Sequence, residues 1–224
     1  MTDVHILVEA AVESVEESLA AERAGAGRLE LCAHLDVGGT TPDAELIARV
    51  KAAIGIPVAA MIRPRGGDFV YDAAELLAMG LDIDMATRCS VDAVVLGVLT
   101  RDCTIDLDRL RAFVERAAGT PVVFHRAFDA TRDLDEALDA LIAAGVVRVL
   151  TSGGAPTALE GALTLARLRA RGEGRIEILA GGKVRGDNAA DVVRRSGVSQ
   201  VHARGTTDES QIRAIVSALR ARTP

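Results

Sequence analysis

Charged and imidazole side chains recur at two-residue spacing inside short apolar runs of this 224-residue chain. Glu9 follows Ile6-Leu7-Val8, and Glu30 and Cys32 alternate with Leu29 and Leu31. Met61, Arg63 and Arg65 share one parity, as do His202 and Arg204, and His125 closes an apolar run just before Arg126 and Asp129. In a strand, residues two apart point to the same face. If these runs are strands with leucine and valine under a helical layer, the charged residues turn together into one interior. A glutamate near arginines stays ionised and serves as a base, whereas a histidine titrates near neutrality and can donate. Glu9, Glu30, His125 and Asp129 are therefore candidates for acid–base catalysis, and Arg63, Arg65, Arg126 and His202 for holding a ligand.

The loops carry the same chemistry. Arg63-Pro64-Arg65-Gly66-Gly67-Asp68-Phe69 sets two guanidinium groups beside a glycine pair. Arginine pairs carboxylates or phosphates through two parallel hydrogen bonds, and Gly-Gly lets backbone N–H groups approach an anion. Gly181 and Gly182, before Lys183, and the Arg204-Gly205-Thr206 turn extend this pattern to two later loops. The gathered cations predict a small phosphate- or carboxylate-bearing partner. A structural alternative is a salt-bridge plug, with Glu9 and Glu30 set against Arg63 and Arg126.

Eight apolar runs position these residues, beginning near His5, Arg28, Pro57, Ala93, Pro121, Arg148, Arg175 and Gln200, each followed by a helix-period segment. A strand–helix beat sustained throughout predicts a parallel sheet covered by helices, and eight units fit an α/β fold of the single (β/α)8 TIM barrel type. One domain over residues 1–224 is expected, with its functional residues at the C-terminal ends of the strands. The fifth strand is expected to run from Pro121 to about Ala127. An acidic helix is expected from Ser14 to Ala24, and Thr41-Pro42-Asp43 reads as a cap followed by proline at the first turn of the second helix. Asp133 is expected to cap the fifth, and glycines 25, 55, 119, 145 and 197 are expected to end helices in the left-handed conformation.

Composition narrows the function. A net charge of −6 and 2% aromatic residues disfavour nucleic-acid binding. No apolar run approaches the ~20 residues that span a bilayer. The acidic start lacks a basic leader region, and three scattered cysteines disfavour a disulfide framework, so a cytoplasmic location is expected. The arginine-rich stretch from Arg167 to Arg175 reads as a solvated helix end.

With these motifs in place, the chain resembles the CutC copper-homeostasis family of barrel proteins. The resemblance rests on GAGRLELC (25–32), IRPRGGDFVY (62–71), LGVL (96–99), FHRAFD (124–129), RVLTSGG (148–154), ILAGGKVRGDN (178–188) and QVH (200–202), with Glu9 fitting the glutamate of strand one. It implies a cytoplasmic barrel, a homodimer or larger, and a role in copper handling. The chain departs from the pattern at Ala11 and Val12, where some relatives carry cysteine, at Lys183 in place of a third glycine, and at Ala203 and Arg204 in place of small hydroxyl residues. It also lacks a longer stretch that some relatives insert after strand eight.

Copper(I) prefers thiolate and thioether ligands. Only Cys32 is expected at the barrel mouth as a metal ligand, either as a small buried hydrophobe or as a thiol whose pKa neighbouring arginines lower. Two readings stay open: a copper-binding protein using Cys32, or an enzyme (lyase, isomerase or hydrolase) acting on a small anion through glutamate and histidine.

Overall fold

Each strand is a short run of Val, Leu, Ile and Ala too narrow to bury both faces alone, and the sheet resolves this by closing on itself. The computed structural model describes residues 6–221; His5, where the first apolar run begins, lies outside them. The strands are β1 (Leu7–Val12), β2 (Arg28–Leu31), β3 (Val58–Met61), β4 (Ala93–Leu96), β5 (Val122–Phe124), β6 (Arg148–Thr151), β7 (Glu177–Ala180) and β8 (Gln200–Arg204). They form a closed parallel barrel in sequence order, with β8 pairing back onto β1. The helices that cover it are α1 (Val15–Arg23), α2 (Ala44–Ala53), α3 (Ala73–Arg88), α4 (Leu107–Arg116), α5 (Leu134–Ala143), α6 (Ala162–Gly172), α7 (Ala189–Ser196) and α8 (Ser210–Arg220). The expected (β/α)8 barrel is the observed fold.

The alternation of Leu29 and Leu31 with Arg28, Glu30 and Cys32 shows how the layers separate. The leucines join the large core between sheet and helices, together with Val58, Ile62, Val94, Leu96 and Phe124. The opposite parity fills the barrel: Cys32, Ala59, Met61, Ala93, Val95 and Val123 form a separate small apolar cluster inside it. The interior is thus apolar toward β3, β4 and β5 and charged toward β1, β2 and β8.

Local chemistry fixes the helix ends. Ser14 accepts from the Glu17 N–H at the start of α1, and Asp133 accepts from Asp135 and Glu136 at the start of α5. At α2 the capping side chain is Asp43, which accepts from Leu46 N–H, rather than Thr41; Thr41 instead bonds Arg63 and Asp82. Gly25, Gly119, Gly145 and Gly197 take positive φ as expected. Gly55 does not, because α2 ends at Ile54 in an extended conformation that leads directly toward β3.

The fifth strand is shorter than its sequence predicts. It stops at Phe124, and residues Arg126–Ala130 form a 3-10 helix whose first N–H groups meet the His125 ring: Ala127 N–H donates to His125 Nδ1 at 3.1 Å. Phe128 and Ala127 are fully buried by this turn, so tertiary packing overrides the apolar run. The arginine-rich stretch is a solvated face, with Arg167 and Arg171 paired to Asp135 and Asp139 of α5.

Candidate functional site

Closure of the barrel places Glu9 between two strands that are far apart in sequence. Glu9 stands opposite Arg28 on β2 and opposite His202 on β8. Its two carboxylate oxygens are divided between them: Arg28 Nε bonds Oε2, and His202 Nδ1 lies 2.8 Å from Oε1. Arg28 also donates to Gln200 at 2.7 Å. Glu30, one layer higher on β2, approaches His202 Nε2 at 3.8 Å. Both ring nitrogens of His202 therefore face carboxylates.

This arrangement sets the charges. Burial opposes ionisation of Glu9, but the His202 hydrogen bond, the charges of Arg28 and His202 and the Arg28 hydrogen bond overcome it and hold the carboxyl at about 2. Burial likewise opposes charge on His202; the charge of Glu30 and the hydrogen bond and charge of Glu9 outweigh it and raise the imidazole above its ordinary value. Burial lifts Glu30 above the ordinary carboxylate range, against the pull of His202 and with the push of Glu9. Donor atoms of Glu9, Glu30 and His202 lie within 4.8 Å of one another, close enough for a cation. Glu9 already spends both oxygens on Arg28 and His202, and Glu30 completes a charge cluster without a hydrogen bond to either partner of the trio.

Above this cluster, at the C-terminal ends of the strands, lies a cavity of about 230 Å3, onto which Glu30, Arg63, Phe69, His125, His202 and Arg204 all open. That is below the ~300–1,000 Å3 of pockets for drug-sized ligands, so it fits a small molecule. A larger hollow of about 780 Å3 opens at the other end of the barrel. Of its three arginines, Arg28 and Arg148 are paired with Glu9 and Glu177 and Arg175 donates to the Arg171 carbonyl, and barrel chemistry concentrates at the opposite face.

Arg63 follows β3 and is buried, 5% exposed. Its guanidinium donates to the carbonyls of Gly38 at 3.0 Å, Gly39 at 3.1 Å, Val37 at 3.3 Å and Gly67 at 3.0 Å. Gly38 and Gly39 hold φ of 92° and 86°, and a Cβ on Gly38 would stand 3.0 Å from Arg63 Nη1, so glycine is required for this wrap. Among the described residues no carboxylate pairs with Arg63, and its Nε has no hydrogen-bond partner. Phe69 lies over the guanidinium at 5.0 Å and against the His125 ring at 5.0 Å.

His125 is held as a neutral ring. Burial, with the charge of Arg63 behind it, pushes its pKa down to about 3. Because Nδ1 accepts from Ala127 N–H, the ring proton of the neutral form belongs on Nε2. Among the described residues that buried Nε2 has no hydrogen-bond partner. His125 is therefore a fixed N–H donor rather than the titrating histidine that its type alone predicts. Gly97 makes room for it: a Cβ there would meet His125 Nδ1 at 2.6 Å.

Other predicted site residues lie elsewhere. Arg65 is taken up by Glu75 at 2.5 Å and Asp68 at 2.9 Å, lies over Tyr71 at 5.2 Å, and does not border the cavity. Asp129 accepts from Thr151 at 2.5 Å, from Ser152 and Gly154 N–H groups at about 3.0 Å, and from Arg126 at 2.8 Å, stitching the loop after β6 to the 3-10 helix. Arg126 borders the cavity but is shared with Asp129 and Ser152. Gly181 gives its N–H to Thr151 and Gly182 its carbonyl to Ala158, and neither lines the cavity. Arg204 lines it while pairing Glu13 at 3.0 Å. The plug of Glu9 and Glu30 against Arg63 and Arg126 is not formed, since Glu9 takes Arg28 and His202 instead.

Cys32 is fully buried beneath Gly39 and in the interior cluster with Met61. Its thiol lies 3.7 Å from Glu30 Oε2, and burial together with the charge of Glu30 pushes it well above its ordinary value. A thiolate favoured by arginines is therefore not what the structure holds. Cys89 and Cys103 are unpaired and lie at the end of α3 and in the loop after β4. Cys32 thus makes a poor ready-made cuprous ligand.

Three contributors are missing from the residues the sequence singles out. Arg28 and Gln200 open their strands, and each stands two residues before Glu30 or His202 and so shares its inward face. Phe69 carried no signal beyond its place after the glycine pair.

A closed eight-stranded parallel barrel with charged side chains around a cavity at its strand ends defines a TIM-barrel protein. Within that class the chain belongs to the CutC family, whose model matches residues 6–207. It is 43% identical over 197 residues to a family protein CutC of Chromobacterium violaceum, covering 88% of this chain and 80% of that protein. It is also 43% identical over 204 residues to the human copper homeostasis protein cutC homolog, covering 90% and 75%. The crystal structure of CutC from Streptococcus agalactiae superposes with a TM-score of 0.84 at 37% identity, covering 88% of this chain and 97% of that one. A phosphoribosylanthranilate isomerase from Thermotoga maritima, at 12% identity and a TM-score of 0.65 over 96% and 99% of the two chains, shares the fold alone.

Proposed function

We propose that this chain takes part in copper homeostasis, the role named for its human relative, by binding a small carboxylate- or phosphate-bearing molecule in the strand-end pocket. The observation that carries the reading is Arg63: a buried cation beside a cavity, with no carboxylate partner among the described residues. A buried charge is costly unless it is paired or meets a ligand. The carbonyls around Arg63 orient it without neutralising it, and the free His125 N–H adds a second donor at the same cavity. The buried, protonated Cys32 thiol does not favour a resident copper(I) ion. No helix among the described residues is long and apolar enough to cross a membrane. The unpaired cysteines support a cytoplasmic setting, and exposed Leu77 and Leu81 on α3 are apolar surface for a homodimer or larger assembly.

Thermal denaturation with a panel of small phosphates and carboxylates tests the reading. At least one should raise the melting temperature of the parent protein, and the rise should vanish in Arg63→Ala and His125→Ala. Equal shifts in parent and variants would place binding elsewhere.

A further inference from the structure

The pocket sets two different kinds of group across one small space. On one side His125 presents an N–H that cannot become a cation near neutrality and cannot turn, because its Nδ1 is tied to Ala127 and Gly97 lies against the ring. On the other side Glu30 opens onto the same cavity, backed by His202, whose Nδ1 is tied to Glu9 at 2.8 Å. Arg63 and the His125 N–H are the donors for an anion, and the Glu30 carboxylate has no part in gripping one. A neutral imidazole N–H suits an oxygen that gains negative charge during reaction, because the buried ring is held in place beforehand. A carboxylate lifted toward neutrality is a better proton acceptor than an ordinary one.

We infer that the pocket removes a proton from the carbon beside the carbonyl of a small carboxylate- or phosphate-bearing molecule, with Glu30 as base and His125 as donor to the carbonyl oxygen. This rests on the anion-binding reading above and adds a reaction to it. Glu30 takes the proton, and the C–H electron pair forms the carbon–carbon double bond of an enolate. The carbonyl π pair moves onto oxygen, where the His125 N–H receives the developing charge. Return of the proton to the same carbon regenerates the substrate. Where that carbon bears a hydroxyl, return to the former carbonyl carbon, with the hydroxyl proton passing to the enolate oxygen and the new C=O forming at the hydroxyl carbon, isomerises it. No oxidant or further reactant is consumed. His202, a positioning residue, stabilises the ionised form of Glu30, while Glu9 and Arg28 hold His202. Phe69, over both Arg63 and His125, shields the oxygen side from water.

The charged and titratable groups facing Glu30 are His202 on β8, Glu9 on β1, and Cys32 and Arg28 on β2, with Arg63, Arg126, Arg204 and His125 around the cavity. Reaction should fail as pH falls through the raised pKa of Glu30, above the range of an ordinary carboxylate.

The test uses the whole chain with two probes in D2O, a 2-oxo acid (2-oxobutanoate) and a ketose phosphate (dihydroxyacetone phosphate). Loss of the proton signal next to the carbonyl is followed by NMR, and binding is followed in parallel by thermal shift. At least one probe should exchange faster than in buffer. Glu30→Gln should slow that exchange by roughly 10²–10⁴-fold while leaving binding intact, and His125→Phe, which keeps a ring but no donor, by roughly 10²–10³-fold. Binding that depends on Arg63 without faster exchange of either probe overturns the reaction and spares the binding reading. Exchange unchanged in both variants also overturns it. Absence of any Arg63-dependent binding removes the binding reading itself.

Discussion

Replacing Arg28 with methionine should expose how much of the barrel interior rests on one ion pair. Glu9 and Arg28 are 2% and 7% exposed, and Arg28 supplies both a charge and a hydrogen bond that hold Glu9 ionised. The folded carboxyl titrates at about 2 against an ordinary 4.5, which by linkage corresponds to about 3 kcal/mol at ~1.36 kcal/mol per unit. Removing one member of a buried pair costs ~3–5 kcal/mol. The lower end applies here, because His202 still bonds Glu9. At ~2–4 °C per kcal/mol for a chain of this size, a loss of about 3 kcal/mol lowers the melting temperature by roughly 6–12 °C. The pH dependence has a definite sign. In the parent protein the folded pKa is depressed, so the stabilisation is present above 4.5 and fades as pH falls from 4.5 toward 2. In the variant, burial acts with one partner fewer and the folded pKa of Glu9 moves up. Its penalty is then greatest at neutral pH and shrinks as acid neutralises Glu9. Urea denaturation at pH 7 and pH 3, either side of the window in which unfolded Glu9 takes up its proton, measures both. A loss under ~1 kcal/mol, or one unchanged between these pH values, would refute the coupling of Glu9 to Arg28.

Gly97→Ala should destabilise by ~1–3 kcal/mol, because the new methyl must push against His125 and Ala127, and chemical denaturation checks it; a neutral outcome would show that the ring is not confined. Nitrogen-15 NMR of the His125 ring should report a neutral Nε2–H tautomer from pH 5 to pH 8, and a titration near 6.5 would contradict the fixed-donor assignment. Anaerobic competition against a cuprous chelator should show weak copper(I) binding that Cys32→Ser leaves unchanged, whereas tight one-per-chain binding lost in that variant would restore Cys32 as a ligand.

The barrel was legible because eight short apolar runs alternate with helix-period segments, and in some strands parity also shows which side faces in. Leu29 and Leu31 against Glu30 and Cys32 reveal both the strand and which side faces in, and the same reasoning places Glu9 and His202. The Glu9–His202 contact spans 193 positions and follows from closure, since the eighth strand must return to the first. Partner choice was less legible. Arg63 and Arg65 have the same spacing and neighbours in sequence, yet one lies under the glycine loop and the other is captured by Glu75 of α3. Only the path of the loop decides between them. Asp129 is one of a charged cluster in the sequence, but its position makes it the acceptor for the hydroxyl and backbone donors of Thr151, Ser152 and Gly154. The His125 ring is a donor because of an N–H two residues later, a detail fixed when β5 gives way to a 3-10 helix.

The most direct measurement is a crystal structure of the chain soaked with phosphate and, separately, with oxalate. The account predicts an ordered anion in the strand-end cavity within hydrogen-bond distance of Arg63 and of His125 Nε2, with Glu9 still bound to Arg28 and His202. A well-ordered structure at high anion concentration in which that cavity holds no anion, and Arg63 keeps only its carbonyl partners, would contradict it.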